Sequence, residues 1–595
     1  MSYKAPVKDI LFNIEHLARI DEIAQMPGFE DAGLETAQAV LEECARFNEE
    51  VVAPLNFEAD KAPSTHSGTE VTTSQGFKQA YKQYAEGGWQ GLQHPADFGG
   101  QGLPKTIGAA CGEILNSANL SFALCPLLTD GAIEALLTAG GDELKATYLE
   151  KLISGDWTGT MNLTEPQAGS DLAAVRTRAE PQPDGTYRVF GTKIFITYGE
   201  HDMADNIVHL VLARVQGAPE GVKGISLFVV PKFMVNADGS LGDRNDVYCV
   251  SIEHKMGIKA SPTAVLQFGD HGGATGYLVG EENRGLEYMF IMMNAARYAV
   301  GVQGIAIAER AYQKAVQYAN DRVQSRPVDG SVKGPATIIH HPDVRRMLMT
   351  MRALTEGCRA MASTAAAAYD AAHHHPDAEV RQQNQTFYEF MVPLVKGYST
   401  EMSLEATDLG VQVHGGMGFI EETGAAQYYR DAKILTIYEG TSAIQANDLV
   451  GRKTARDGGQ TAKAIAAQIE ATEKELAAGS AAAQVVARRL AAGRQAFLDV
   501  VDFIVASAKS DPNAAYAGSV PYMLLAGNLV AGWQLGRALL VAEQQLAAGN
   551  DATFMQAKIV TARFYADHIL TRVPAARDAI VEGADSVTAL ALEAF

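Results

Sequence analysis

Ile437-Tyr438-Glu439-Gly440-Thr441-Ser442-Ala443-Ile444-Gln445 sets one carboxylate between two bulky apolar residues and a Gly-Thr-Ser turn, where a helix can restart. A glutamate held at such a point is suited to act as a base. Upstream of it runs the glycine-rich stretch Gln412-Val413-His414-Gly415-Gly416-Met417-Gly418-Phe419, with an Arg430-Asp431 pair between the two. Much earlier, Leu163-Thr164-Glu165-Pro166-Gln167-Ala168-Gly169-Ser170-Asp171 again mixes hydroxyls, a carboxylate and small residues. The three segments together decide the reading.

At 595 residues the chain exceeds what one core can serve, and about three or four domains are expected. The balance of 70 acidic against 49 basic residues gives a net charge of -21, a surface that repels nucleic-acid phosphates. Cys44, Cys111, Cys125, Cys249 and Cys358 are odd in number and lack C-x-x-C spacing, which suggests neither a zinc knuckle nor a disulfide framework. The first residues carry Lys4 and Lys8 with no apolar stretch after them, so a secretory signal is not expected and the cytoplasm is. Tyr522 to Val541 is the one candidate membrane segment. Asn528, Gln534 and Arg537 interrupt a run that would otherwise approach the ~20 residues needed to span, so it reads as a buried helix.

Helical spacing from Leu34 to Ser154 predicts a helical domain, punctuated at Gly87-Gly88, Pro95 and Phe98-Gly99-Gly100-Gln101-Gly102. Between Gly155 and Gly280, short apolar or β-branched runs at Asn206 to Val215, Ile225 to Val230 and Thr263 to Phe268 predict a β domain. Long helical patterns return over Leu286 to Asn320, His341 to Tyr369 and Gln383 to Leu409. Beyond Arg452, Ile465, Ile469, Thr472 and Leu476 line one side of a helix and open a further helical domain. The resulting division is an N-terminal extension (1–33), a helical domain (34–154), a β domain (155–282), a helical bundle (283–452) and an additional helical domain (453–595). The fold class is mainly α with a central β domain.

The pairs Gly100/Gly102 and Gly416/Gly418 are followed three residues later by Lys105 and Glu421, which breaks G-x-G-x-x-G and leaves a dinucleotide cradle unsupported. No H-E-x-x-H occurs, and His373-His374-His375-Pro376 reads as an exposed loop, so no metal site is expected.

The quoted segments resemble the acyl-CoA dehydrogenase family. The resemblance runs from Leu34 to Gly451 and rests on Met161 to Asp171, Lys193-Ile194-Phe195-Ile196-Thr197, His254-Lys255-Met256-Gly257, Arg297, Arg322, Gln412 to Gly418 and Tyr438 to Gln445, in the family's order. With its extra C-terminal domain, the chain is most similar to the branch that holds 3-methylmercaptopropionyl-CoA dehydrogenases and broad acyl-CoA dehydrogenases. The family's fold is a helical domain, a barrel-like β domain and a helical bundle. Its reaction is the FAD-dependent α,β-desaturation of a saturated acyl-CoA to the trans-2-enoyl-CoA, with electron-transferring flavoprotein as acceptor. A medium or long acyl chain of fatty-acid β-oxidation and the short thioether acyl group both remain open as substrate. An acyl-CoA oxidase using O2, and a flavin-containing binding protein of the same fold, are the competing readings.

Residue by residue, the resemblance implies Glu439 as the base that removes the α proton. Some members carry their base directly before the arginine matched by Arg297, but Ala296 stands there and cannot ionise. For FAD it implies Met161, Leu163 and Thr164 at the ring, Ser170 near the pyrophosphate or substrate, and Phe195, Ile196 and Thr197 across the ring's other side. Arg322, Gln324, Gln412, Val413, His414, Gly415 and Gly416 are implied at the adenine and pyrophosphate end of a neighbouring subunit's cofactor, hence a homodimer, with Thr441 and Ala443 also at the cofactor. Ser170, Asn294, Arg297, Glu439 and Gly440 are implied at the substrate. Phe195 departs from a frequent tryptophan, Met161 and Ser325 from aromatics, Asn294 from an acid and Gly451 from an arginine that Arg452 could replace.

Overall fold

The helix Leu120–Ala139 begins where Asn119 turns its side chain to accept the Phe122 N–H at 3.1 Å, satisfying one of the orphan donors of a first turn. The same device starts Ala481–Ser507, where Ser480 accepts from Ala483 N–H, and Ser442–Asp448, where Thr441 accepts from Ile444 N–H. The computed structural model describes residues 3–595 and divides into two compact units.

One unit comprises Phe47–Leu103 and Ala118–Ala296. Its helices Phe77–Glu86, Leu120–Ala139 and Asp142–Ser154 precede an eight-stranded sheet. Asn206–Val215, Ser226–Pro231 and Thr263–Phe268 form strands where the β-branched runs predicted them. The 11-residue strand Tyr187–Thr197 pairs with Thr263–Phe268 along its second half and with Ala274–Val279 and Arg178–Pro181 along its first. Arg178–Pro181 also pairs with Asn206–Val215, which joins Ser226–Pro231 and so returns to Ala274–Val279. The ring is closed, and Val189, Ile196, Val211, Phe228, Leu266 and Phe268 fill its core.

The other unit comprises Met1–Arg46, Pro104–Ser117 and Arg297–Phe595. Its long helix Pro342–His374 and the C-terminal helix Ser519–Ala547 share one apolar core, to which Phe12 and Leu17 of the N-terminal segment also belong. Ile465, Ile469, Thr472 and Leu476 are buried on the helix Gln460–Ala477, as their spacing predicts. Leu120–Ala139, Gly285–Asp321 and Ser519–Ala547 are long and apolar enough to cross a membrane; the apolar window of Ser519–Ala547 is 78% buried within the protein.

Three expectations differ. Tyr522 to Val541 is not the one apolar stretch of spanning length, because Leu120–Ala139 and Gly285–Asp321 match it. The stretch Gln383 to Leu409 is not one α-helix: Ala378–Pro393 and Ser399–His414 are separated by a π-helical turn, Leu394–Tyr398, where Pro393 removes a backbone donor. His373 and His374 are not in a loop but end the helix Pro342–His374, where their Nδ1 atoms meet Tyr369 O at 2.8 Å and Pro27 O at 3.1 Å.

Candidate active site

Glu439 stands between the short turn Ile434–Thr436 and the helix Ser442–Asp448, with φ of +56°. Left-handed backbone costs a non-glycine residue about 1–2 kcal/mol and persists only where neighbours fix it. Lys396 Nζ donates to Leu435 O and Gly440 O, both at 2.7 Å, bracketing the residue from either side. Gln445 Nε2 donates to Glu439 O at 3.2 Å, and the Tyr438 hydroxyl donates to Gln303 Oε1, which is itself set by Gln303 Nε2 donating to Asn116 Oδ1 at 3.0 Å. Ser442 donates to Glu401 and fixes the start of the following helix.

Neither the Glu439 carboxylate nor its backbone N–H is hydrogen-bonded to any described residue. Burial raises its pKa above the ordinary carboxylate range, and the nearby Lys396 and Arg297 cations oppose that rise. Lys396 is fully buried; the loss of water brings its ammonium down to about 7 against the attraction of Glu439. Arg297 is 7% exposed and its Nε has no partner, so a buried guanidinium faces the same region. A half-buried glutamate with raised proton affinity, no hydrogen bond to its carboxylate and an open N–H beside it is equipped to accept a proton and to steady a nearby oxygen. Gly440 and Thr441 are half-buried beside it, and Ala443 is exposed on the first turn of the helix.

In the same unit the ends of two helices meet through a stack of Tyr318 on His414, ring centroids 4.4 Å apart. Arg322 follows Tyr318 by one helical turn, and Gln412–Gly416 surround His414 in the chain. Arg322, Gln324, Gln412, Gly415 and Gly416 are exposed, Val413 and His414 buried, and Gly415 takes a φ of +58°. His414 Nδ1 lies 2.6 Å from Gly410 O, which fixes the ring against the preceding helical turn.

In the sheet-bearing unit, Met161 is buried in the strand Trp157–Asn162, and Leu163 and Thr164 follow half-buried, the Thr164 carbonyl accepting from Ile194 N–H at 2.9 Å. Phe195 is 58% exposed with φ of +59°, although it lies within a strand; Ile196 turns into the core and Thr197 is half-buried. An exposed aromatic face on strained backbone, with hydroxyls and peptide groups beside it, fits a flat apolar ring with a polar edge such as isoalloxazine. Ser170 is exposed on the loop that follows, and Asn294 is exposed on the long helix.

Two lysines take roles that the sequence did not assign them. Lys193, fully buried, donates to Glu165 Oε1 at 2.8 Å and to Leu163 O at 2.9 Å, which pins the loop that carries Leu163 and Thr164. Burial would raise the Glu165 carboxyl, but Lys193 and the donors Thr177 Oγ1 and Arg176 N–H outweigh it and hold it at about 2. Lys396 is the other; its only signal was a lone charge directly after the run Val392 to Val395.

Four family models match in succession: Acyl-CoA dehydrogenase, N-terminal domain (34–156), middle domain (160–271) and C-terminal domain (283–453), then Acetyl-CoA dehydrogenase C-terminal like (463–591). The chain belongs to the acyl-CoA dehydrogenase family. It is 58% identical over 592 residues, covering 100% of both chains, to a 3-methylmercaptopropionyl-CoA dehydrogenase of Ruegeria pomeroyi. It is 36% identical, over 97% of each chain, to a broad-specificity linear acyl-CoA dehydrogenase of Mycobacterium tuberculosis. A solved acyl-CoA dehydrogenase complexed with FAD from Bacillus anthracis shares the fold, with a TM-score of 0.75 and 22% identity over 95% of this chain and 93% of that one. The protein is accordingly an FAD-dependent acyl-CoA dehydrogenase.

Proposed function

We propose that the substrate is 3-methylmercaptopropionyl-CoA and that Glu439 removes its α proton. The substrate reading is supported by the 58% identity, without a missing segment, to the Ruegeria pomeroyi enzyme of that name. The base reading rests on one observation: Glu439 holds a carboxylate without a hydrogen bond and of raised proton affinity, on backbone that the Lys396 and Gln445 side chains fix. Its N–H, free of internal partners, stabilises the thioester oxygen as charge develops there. Bound FAD supplies the acceptor for the β hydride. Met161, Leu163, Thr164, Phe195 and Thr197 hold the ring, and Arg297, Asn294, Gly440 and Ser170 contact the acyl-CoA.

The exposed group Arg322, Gln324, Gln412, Gly415 and Gly416, flanked by Met417 and Phe419 at 50% and 87% exposure, supports a subunit contact at which the cofactor's far end is shared in a homodimer. Five buried cysteines outside any disulfide agree with a reducing cytoplasm, where electron-transferring flavoprotein accepts the electrons.

Anaerobic titration of the yellow protein with acyl-CoAs of graded length and with the methylthio compound tests the reading. Bleaching at lowest concentration by 3-methylmercaptopropionyl-CoA supports it. Preference for a longer linear chain replaces the substrate, and no bleaching by any acyl-CoA overturns the activity at this site. Rapid recolouring in air without an acceptor protein would mark an oxidase.

A further inference from the structure

The additional C-terminal domain touches the candidate base through a short chain of contacts within one unit. At its centre is the π-helical turn Leu394–Tyr398, a form that recurs at functional positions in helices. Lys396 and Tyr398 are two residues apart on this turn and therefore point to opposite sides. Lys396 reaches the segment Leu435 to Gly440, with both of its 2.7 Å contacts on carbonyls that flank Glu439. Tyr398 reaches the helix Ser519–Ala547, where its hydroxyl donates to Asn528 Oδ1 at 2.7 Å and lies 2.9 Å from the Tyr565 hydroxyl. Tyr565, on the helix Ala552–His568, donates to Asn528 O at 2.9 Å.

The packing at this junction leaves no slack. A Cβ on Gly527 would lie 2.2 Å from Tyr398 Cγ, and one on Gly397 would lie 2.1 Å from Met523 Sδ and 3.4 Å from Gln445 Cβ. Tyr398, Tyr522, Met523 and Tyr565 are fully buried, so displacement of the C-terminal helix must move the π turn. Lys396 offers three donors and spends two of them on the strained segment, and Thr400 Oγ1 donates to Lys396 O at 2.7 Å to hold the lysine's own backbone.

We propose that Lys396 is a positioning residue for Glu439, and that the C-terminal helical domain serves the reaction by fixing the π turn from which Lys396 acts, through Tyr398, Asn528 and Tyr565. This rests on Glu439 being the base. The domain is thereby part of the active-site scaffold.

The test is a double-mutant cycle of Lys396→Met and Tyr565→Phe in the full-length, FAD-loaded enzyme. Three quantities are read: kcat at saturating substrate, the acid limb of kcat/KM, and amide exchange over residues 435 to 445. Lys396→Met is expected to lower kcat roughly 100-fold and Tyr565→Phe roughly 5-fold, each with little change in KM, and the double variant is expected to fall short of the product of the two. Lys396→Met also moves the acid limb to higher pH, because a cation that favours ionised Glu439 is gone. Both single variants speed exchange in the 435 to 445 segment, a readout that does not require turnover. Should Lys396→Met fail to fold, Tyr565→Phe alone decides: it loses one distant hydroxyl. Wild-type kcat, limb and exchange in Tyr565→Phe, or strictly multiplicative effects in the cycle, would overturn the proposal. A fully active Glu439→Gln enzyme would overturn the base reading instead, while the exchange data would still report whether the domain fixes the segment.

Discussion

At the residue scale, Glu439 combines three properties that rarely coincide: left-handed backbone, burial that favours its neutral form, and a carboxylate with no hydrogen bond to the described residues. Because its pKa is raised, the ionised form that can accept a proton is lost at a higher pH than for an ordinary glutamate. kcat/KM should therefore rise with pH through that raised value, and the acid limb measured with a non-ionising thioester should lie above 4.5, the ordinary value. The glutamate was legible in the sequence because Gly440-Thr441-Ser442 announces a helix start next to a lone acid. Lys396 was not, since a single lysine closing the run Val392 to Val395 reads as an interruption until the fold shows which carbonyls it meets. Arg297 was legible by position, though not its lack of a partner at Nε.

At the element scale, the strands carried their own signals. Asn206–Val215 and Thr263–Phe268 begin and end where their β-branched runs do, whereas the π turn at Leu394–Tyr398 hides in a continuous helical pattern because only one extra residue distinguishes it. The loop after Trp157–Asn162 is held by the buried pair of Lys193 and Glu165, whose side chains are 0% and 3% exposed. Glu165→Gln leaves that ammonium without its counter-charge and should cost about 3–5 kcal/mol in denaturant unfolding at pH 7. The sign with pH follows from a depressed carboxylate. Its contribution is present above the unfolded value near 4.5 and is lost as pH falls towards about 2, so the difference between wild type and Glu165→Gln should shrink over that window. Loosening of the loop should also weaken FAD retention, read as flavin released on gel filtration.

At the scale of the whole molecule, the helical unit is tied by a buried ionic network. Arg359 donates to Asp9, Glu113 and Glu309 at 2.7–2.8 Å, and Lys558 donates to Asp9 and Glu356 at 2.7 and 2.9 Å. The residues come from the N-terminal segment, the helix Lys105–Ala118, the bundle helices Gly285–Asp321 and Pro342–His374, and the C-terminal domain, so regions remote in sequence share one cluster of charges. No pattern in the first 33 residues foretold this, because Asp9 acquires its meaning only from Arg359 and Lys558. Asp9→Asn removes the carboxylate both cations use and should lower stability by about 3–5 kcal/mol, measured as a fall in denaturant midpoint with unchanged slope. The net charge of -21 predicts that the holoenzyme leaves DNA unshifted in a low-salt gel. The central claim meets its most direct test in anaerobic rapid mixing with 3-methylmercaptopropionyl-CoA. Wild type should bleach its flavin in one turnover and Glu439→Gln, folded and FAD-loaded, should do so about 100- to 10,000-fold more slowly. Equal rates would show that the proton leaves by another route.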